Sequence, residues 1–208
     1  MGERMIVMVT AWPCTEERIT CLSECLDSLA MLQGPPMSRL VSAETEGVHS
    51  AARAHVEHLC DARGWALDWR YAPANIGLHL DDVYATLPEG QIVYVQEDFI
   101  LTKPLDITAA CAALREFTMV QMAPAFSVPS GITPLPIGKP RFSHRPYAAN
   151  IEWWRRLGPL GPGKGERGRG QEAQMAEKWA HEPVGVMGGE HFVHIGKHSL
   201  VRPGKVWE

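Results

Sequence analysis

The sequence predicts an α/β fold in which a mostly parallel β-sheet is flanked by helices. Short apolar runs at 6–10, 39–43 and 91–95 have the composition of buried strands. Segments whose apolar residues recur with helical spacing alternate with these runs. The order strand, helix, strand, helix, strand is typical of right-handed βαβ units, which build parallel sheets.

The first strand, 6–10, ends in a turn at Trp12 and Pro13, and a helix begins after Thr15. Thr15 suits the N-cap because its hydroxyl can accept a hydrogen bond from the first helical turn. Apolar residues then recur every three or four positions up to Gly34, where Gly-Pro-Pro ends the helix.

The elements that follow extend the parallel unit. In order, they are a strand at 39–43, a helix at 50–62, a strand at 65–71, a short helix at 76–87 and a strand at 91–95. The carboxyl ends of parallel strands meet at one edge of the sheet, here called the carboxyl edge, and ligands of open α/β sheets bind there. This rule places Trp12, Glu44, Asn75 and Asp98 along that edge.

The second half of the chain is less regular. We expect a helix at 107–117, a strand at 119–122, a proline-rich loop at 124–140, a helix at 151–157, a glycine-rich segment at 161–170, a helix at 171–180 and a strand at 192–195. Of the adjacent Trp153 and Trp154, one is expected to pack inward, which leaves the other to stack on a ligand.

The charge balance argues against nucleic-acid binding by bulk positive charge. The 208 residues include 20 Lys and Arg against 24 Asp and Glu, so nucleic acid would have to bind at a local basic patch. The length predicts a single domain over 1–208. The apolar run at 5–9 is too short for a membrane span or a signal peptide, so we expect no membrane anchor and a cytoplasmic location.

The five cysteines form no CxxC pair and are expected to be reduced thiols.

Two adjacent carboxylates, Glu97 and Asp98, follow the strand at 91–95. Divalent cations such as Mg²⁺ take oxygen ligands, and an ion on a substrate diphosphate needs only one or two protein carboxylates. The pair is therefore a candidate metal site at the carboxyl edge. Polar residues at the end of a buried strand are the other interpretation.

The first half contains three features in a characteristic order. These are the strand and turn at 6–13 before a helix with Leu26-x-Ser28-Leu29, the Asn75-x-Gly77 element, and the run Tyr94-Val-Gln-Glu-Asp-Phe99. Their order and spacing resemble small GT-A glycosyltransferases of the family 2-like kind. The resemblance implies a single-domain GT-A-like fold, with a nucleotide-sugar half at about 1–105 and an acceptor half at about 106–208. It also implies an inverting transfer of sugar from a nucleotide-diphosphate sugar to a hydroxyl group.

The resemblance assigns roles to residues at the carboxyl edge. In the family, the last carboxylate of a DxD or EDD element holds Mn²⁺ or Mg²⁺ on the donor diphosphate, and Asp98 takes that place. Gln96 stands where many members have an acid, and Glu97 takes a supporting role. The segment 44–46 resembles the one that contacts the nucleotide base. The donor contacts implied are Thr10, Trp12, Glu44, Asn75, Gln96 and Glu97.

Two elements of the second half resemble parts of the same family. Gly170-Gln-Glu172 resembles the helix start that supplies the general base, which makes Glu172 the base. His194-Ile-Gly196 resembles the C-terminal element that completes the metal or diphosphate site, which makes His194 a metal ligand. A helix-start acid stabilised by the helix dipole is the other interpretation of Glu172, and a half-buried structural histidine is that of His194.

The glycine-rich segment 161–170 carries three basic residues, Lys164, Arg167 and Arg169. Its glycines allow close backbone approach, and the basic side chains could neutralise a leaving diphosphate. We expect the segment to close over the donor. A solvated linker is the alternative.

Three functions are compatible with the sequence. The first is a nucleotide-sugar-dependent glycosyltransferase whose acceptor is a glycan, a protein or a modified nucleobase. A nucleotidyltransferase is the second, although Trp12-Pro-Cys-Thr15 replaces the glycine-rich basic loop that such an enzyme carries after its first strand. The third is a non-catalytic module that binds nucleotide, nucleic acid or glycan, which the glutamines at 96 and 171 favour. The sequence leaves the oligomeric state open.

Overall fold

The computed structural model describes residues 5–71, 76–123, 130–136, 144–159, 177 and 180–196. Five α-helices lie within these ranges: α1 (Glu16–Ser28), α2 (Ser50–Ala62), α3 (Ile76–Thr86), α4 (Thr108–Ala113) and α5 (Ile151–Leu157). The strands of the same ranges are β1 (Met5–Ala11), β2 (Leu32–Gln33), β3 (Met37–Glu44), β4 (Ala66–Arg70), β5 (Gln91–Gln96), β6 (Phe99–Leu101), β7 (Leu105–Asp106), β8 (Met119–Gln121), β9 (Ile132–Pro134), β10 (Tyr147–Asn150), β11 (Val184–Met187) and β12 (Phe192–His194).

Eight strands form one mixed but mostly parallel sheet, in the order β4-β3-β1-β5-β10-β8-β11-β9. The β4-β3-β1-β5 half is parallel throughout, as the alternation of strands and helices predicted. β10 runs antiparallel to both β5 and β8. Strands from the first and the second half of the chain therefore join in one sheet.

Helices cover both faces of this sheet. On one face, α1 and α2 pack their apolar residues against alternate side chains of the central strands, such as Val7, Val9 and Val93. On the other face, α3 and α5 pack against the intervening side chains, such as Met8 and Tyr94. Because the parallel strands are covered on both sides, they read as continuous apolar runs in the sequence.

The first half matches its predicted elements closely, and the second half differs more. The predicted helix at 107–117 is only six residues long, α4, and then passes into turns. The segment predicted as a loop at 124–140 contains β9, an edge strand. Proline suits an edge because it supplies no backbone N–H to the sheet. The predicted helix at 171–180 lies almost entirely outside the described residues.

The prediction for Trp153 and Trp154 was wrong, because both side chains are buried. Trp154 stacks on Tyr84 with ring centroids 4.6 Å apart, and Trp153 donates its indole N–H to Glu182 at 3.0 Å. Their neighbour Arg155 binds backbone carbonyls of α3 and the turn after it. This aromatic pair is therefore part of the core.

All five cysteines are free thiols, as expected. Across the described ranges, every helix is too short or too polar to span a membrane.

Candidate active site at the carboxyl edge

Three neighbouring parallel strands bring polar side chains to the carboxyl edge. β3 ends at Glu44, β1 leads to Trp12, and β5 leads to Glu97 and Asp98. These carboxylates are unusual because Glu44, Glu97 and Asp98 are all buried. The geometry thus brings together the first-half residues predicted for a site that the structure describes, and Asn75 lies outside the described residues.

Glu97 is held by α1. Arg18, in the first turns of this helix, forms an ion pair with Glu97, and the Trp12 backbone N–H donates to the same carboxylate at 3.4 Å. Burial raises the pKa of Glu97 to about 7, although Arg18 opposes that shift. The Arg18 guanidinium carbon lies 5.4 Å from the centre of the Trp12 ring, whose indole N–H donates to the Glu46 carbonyl. Glu97 and Trp12 therefore form one ordered unit with Arg18.

Asp98 contacts the end of β12. β12 pairs antiparallel with β6, which directly follows Asp98, and this pairing places His194 opposite Phe99. His194 Nε2 lies 2.9 Å from Asp98 Oδ2, and the Ile195 N–H donates to the Asp98 carbonyl at 2.8 Å. A Cβ on Gly196 would lie 2.9 Å from Asp98 Cβ, so this position needs a glycine. The structure thus brings together the two predicted metal ligands, which are 96 residues apart in the sequence.

Glu44 lies beside a buried histidine of α3. His79 Nδ1 is 3.7 Å from Glu44 Oε1, and His79 Nε2 is 2.9 Å from Ser42 Oγ. Burial raises the pKa of Glu44 to about 7, and the negative charge of Glu97 adds to the shift. Burial also lowers the pKa of His79 to about 4, which keeps its imidazole neutral. The end of β3 therefore holds a carboxyl group beside a neutral imidazole, both buried from solvent.

Thr10, one residue before the end of β1, and Gln96, the last residue of β5, lie between these groups. Thr10 is buried and donates its hydroxyl to that of Tyr94 at 3.2 Å. The Gln96 backbone carbonyl is 3.7 Å from Cys25 Sγ, which ties the end of β5 to α1. Both residues lie at the carboxyl edge, and their role as donor contacts remains a prediction.

The donor set at Asp98 and His194 fits a divalent cation that also binds a substrate diphosphate. Asp98 Oδ1 is buried and has no hydrogen-bond partner within the described part of the chain. Asp98 and His194 together offer a carboxylate oxygen and an imidazole nitrogen, which Mn²⁺ accepts. Across the described residues, no group of three or more His, Cys, Asp or Glu side chains could hold a metal. Such an ion would therefore depend on the substrate and water for its remaining ligands.

Five predicted site residues lie outside the described ranges. They are Asn75, Lys164, Arg167, Arg169 and Glu172. Their assigned roles remain predictions from the sequence.

Sequence reasoning missed Arg18 and His79. Arg18 is a charged residue on a predicted helix, half-buried in the structure, and only its position three residues after the N-cap Thr15 hints that it reaches back to the carboxyl edge. His79 gave a clearer signal, because it lies four residues before Val83 and so on the apolar face of α3. A histidine on that face is buried, so its ring nitrogens need hydrogen-bond partners within the core.

Comparison with solved structures identifies the fold. Residues 1–349 of TarS from S. aureus superpose with a TM-score of 0.64 at 12% identity, over 91% of this chain and 59% of that one. The same TarS segment has been solved with UDP-GlcNAc. A mannosyltransferase from Pyrobaculum calidifontis, solved with GDP-Man and Mn²⁺, gives 0.58 at 13% identity, over 91% of this chain and 55% of that one.

A third similar structure is 4-diphosphocytidyl-2C-methyl-D-erythritol synthase from Anaerococcus prevotii. It gives a TM-score of 0.56 at 13% identity and covers 92% of this chain and 91% of that one. The chain thus spans little more than half of the TarS and mannosyltransferase structures, and most of the synthase. No protein-family model and no curated protein matches the sequence. The fold is the GT-A fold that the sequence resemblance predicted.

Proposed function

We propose that this chain, which has the GT-A fold, is a nucleotide-sugar-dependent glycosyltransferase that transfers a sugar to a hydroxyl acceptor. The observation that carries the proposal is the meeting of Asp98, His194 and Gly196 at the carboxyl edge. A strand-end carboxylate with an unpartnered oxygen, next to an imidazole, is suited to a diphosphate held through a cation.

The spacing of the buried groups supports a nucleoside diphosphate as ligand. Glu44 follows β3 and Asp98 follows β5, with β1 between them. Two strand spacings amount to about 10 Å. A nucleoside diphosphate whose base lies near Glu44 would extend along this edge toward Asp98. Thr10 and Trp12 would then lie beside its ribose and phosphates.

The proposed reaction is a direct displacement at the anomeric carbon. The acceptor oxygen forms a bond to that carbon while the bond to the diphosphate oxygen breaks, and the hydroxyl proton passes to a carboxylate base. Glu172 is the candidate base, on the resemblance of its sequence element alone. A positioned general base contributes about 10²–10⁴-fold to the rate.

Mn²⁺ or Mg²⁺ bound with the donor would offset the negative charge of the leaving diphosphate. Asp98 and His194 are the residues of this chain that would hold it. Arg18 fixes Glu97 beside them, so the carboxylate next to Asp98 is already paired with a cation of the protein. The proposed site therefore uses one carboxylate for the metal rather than two.

Thermal unfolding in the presence of candidate donors tests this proposal. We expect a nucleoside diphosphate sugar with Mn²⁺ to raise the midpoint, because a ligand that binds only the folded state stabilises it. Uridine, guanosine, cytidine and adenosine diphosphate sugars should each be tested with and without Mn²⁺. If none of them shifts the midpoint, the proposal is wrong; if no nucleotide of any kind does so, a non-catalytic module is favoured.

A nucleotidyltransferase is the second candidate, because the synthase comparison covers nearly the whole of both chains. That reaction starts from a nucleoside triphosphate. Stabilisation by triphosphates with Mg²⁺, but not by diphosphate sugars, would favour this candidate. The turn from Trp12 to Thr15 contains no lysine or arginine to bind a triphosphate, which is why we prefer the glycosyltransferase.

A further inference from the structure

We infer that Arg145 forms an anion-binding subsite at the carboxyl edge, which takes a carboxylate or phosphate group of the acceptor. The inference rests on the proposed function, because it assumes that a sugar is transferred at this edge. It goes further by naming the class of acceptor, one that carries a negatively charged group, and the residue that selects it.

The first observation is the position of Arg145, which follows from the direction of β10. This strand runs antiparallel to β5 and β8, so its first residue, Tyr147, lies at the edge where those two strands end. Continuing the register of β10 with β5 by two residues places Arg145 opposite Gln96. The Met122 N–H donates to the Pro146 carbonyl at 2.8 Å, which holds the start of β10 against the end of β8.

The second observation is that Arg145 lacks a counter-ion. It is half-buried, and its side chain makes one hydrogen bond within the described residues, from Nη1 to the Ala123 carbonyl at 3.5 Å. This distance is longer than that of a typical N–H···O bond. Because a guanidinium group has five N–H donors, most of those of Arg145 are left for a ligand.

The other half-buried arginines of the described ranges each have a charged or aromatic partner. Three form ion pairs with carboxylates, and they are Arg18, Arg63 and Arg70. Two stack on tryptophan rings, and they are Arg39 and Arg53. Arg145 differs from all of them, although it lies at the edge where a substrate binds.

The acidic residues that follow β5 do not supply the missing charge. Glu97 is paired with Arg18, and Asp98 contacts His194. Gln96, opposite Arg145, carries an uncharged amide. A carboxylate or phosphate from the substrate would neutralise the guanidinium, and it fits because both groups accept two parallel hydrogen bonds from arginine.

The order of the strands favours the acceptor as the source of this anion. β3, β1, β5 and β10 are consecutive in the sheet, and the proposed function has the base at the end of β3 and the diphosphate at the end of β5. The start of β10 lies one strand spacing farther along, about 5 Å beyond the diphosphate. The diphosphate also has its own cation, so a second positive group in this direction is suited to the acceptor.

Two pairs of small probes test the inference, and the members of each pair differ in one anionic group. They are methyl glucuronide with methyl glucoside, and glycerol 3-phosphate with glycerol. Their dissociation constants should be measured by NMR titration of the nitrogen-15-labelled chain, in EDTA so that no divalent cation binds the probes. The proteins are the wild type, Arg145→Gln and, as control, Arg115→Gln, which removes the same charge from an exposed position before β8, at the opposite edge.

We expect the wild type and Arg115→Gln to bind an anionic probe at least about 10-fold more tightly than its neutral partner, as a charged hydrogen bond implies. Arg145→Gln should lose this preference, with the two affinities within about threefold of each other. Far-UV circular dichroism confirms that each variant is folded. Absence of the preference in the wild type, or its survival in Arg145→Gln, would overturn the inference.

A measurement on the wild type decides the case if Arg145→Gln does not fold. The Nε–H signal of Arg145 should shift on titration with an anionic probe and stay in place with its neutral partner. A signal that responds to neither anionic probe would overturn the inference.

Donor binding to Arg145→Gln separates the acceptor from the donor as the source of the anion. Nucleoside diphosphate sugars in Mn²⁺ should bind this variant within about threefold of the wild type. A loss of about 10-fold or more would assign Arg145 to the diphosphate and overturn the inference. If the wild type binds a donor but does not prefer the anionic probes, the inference fails while the proposed function stands. If it binds no donor, the proposed function fails and the inference falls with it.

Discussion

At the residue scale, the carboxyl edge is defined by three buried carboxylates with different partners. Arg18 neutralises Glu97, His194 contacts Asp98, and neutral His79 lies beside Glu44. The same functional group, a carboxylate, thus has three environments within two strand spacings. Each environment gives the carboxylate a different chemical role, and each can be tested by a single substitution.

Glu44 should make the stability of the protein depend on pH. Its pKa is about 7 in the folded protein and 4.5 in the unfolded chain, so the folded state binds more protons between these values. Stability therefore falls as the pH rises from about 4.5 to 7. Glu44→Gln removes this term and should stabilise the protein by about 1–3 kcal/mol at pH 8, with a smaller gain at pH 5.

Urea unfolding at pH 5 and pH 8 measures this difference. Asp61→Asn is the control, because Asp61 is an exposed acid on α2. An equal effect of Glu44→Gln at the two pH values would show that Glu44 has an ordinary pKa.

Arg18 and Glu97 should be strongly coupled. Arg18→Gln leaves a buried carboxylate without its cation, and we expect a loss of about 2–4 kcal/mol in the free energy of unfolding. Adding Glu97→Gln should recover much of this loss because the orphaned charge disappears. A double-mutant cycle by denaturant unfolding gives the coupling. Additive effects of the two substitutions would contradict the ion pair.

At the element scale, β12 is the strand that places His194 in the candidate site. It is three residues long, it pairs with the equally short β6, and it brings His194 to Asp98. Gly196 then passes so close to Asp98 that a side chain would not fit. The position of the C-terminal segment therefore depends on both the strand pairing and this glycine.

Gly196→Ala tests this dependence. The added Cβ would lie 2.9 Å from Asp98 Cβ and 3.0 Å from Asp98 Oδ2, so either the aspartate or the segment has to move. We expect Mn²⁺-dependent binding of a nucleoside diphosphate to weaken by about 10-fold or more, as for the loss of a charged contact. Val193→Ala, at a half-exposed position of β12, is the control. If both variants bind as the wild type does, the contact between Gly196 and Asp98 has no role in the site.

How far the sequence predicts the structure also differs by element. The strands β1, β3 and β5 were predictable because burial on both faces makes them continuous apolar runs. β6 and β9 were not, because β6 directly follows the turn at Glu97 and Asp98, and β9 lies within the proline-rich segment, so that both are defined only by their pairing partners. The same contrast applies to the site. Asp98 could be predicted because it comes directly after the apolar run of β5. The ion pair of Arg18 with Glu97 could not, because it depends on the packing of α1.

At the scale of the whole molecule, the two halves of the chain are joined through an aromatic layer. Tyr94 of β5 stacks on Tyr147 of β10 with ring centroids 4.7 Å apart. The Tyr147 hydroxyl lies 2.8 Å from that of Tyr84 on α3, and Trp154 stacks on Tyr84. This layer lies directly beneath the Thr10 hydroxyl at the carboxyl edge.

Tyr147→Phe should weaken this connection. It removes one partner of a buried pair of hydroxyl groups, and we expect a loss of about 1–2 kcal/mol in the free energy of unfolding. Guanidinium unfolding measures the loss, and Tyr71→Phe is the control because Tyr71 is 77% exposed. Equal stability of the two variants would mean that the hydroxyl pair contributes nothing to the folded state.

The measurement that tests the central claim most directly is calorimetric titration with nucleoside diphosphate sugars, in Mn²⁺ and in EDTA, for the wild type and Asp98→Asn. We expect at least one donor to bind the wild type in Mn²⁺ and to bind at least about 10-fold more weakly in EDTA. Asp98→Asn should bind it weakly in both conditions while keeping its unfolding midpoint. A donor that binds Asp98→Asn in Mn²⁺ as tightly as it binds the wild type would contradict the role given to Asp98, and the absence of binding by every donor would contradict the proposed function.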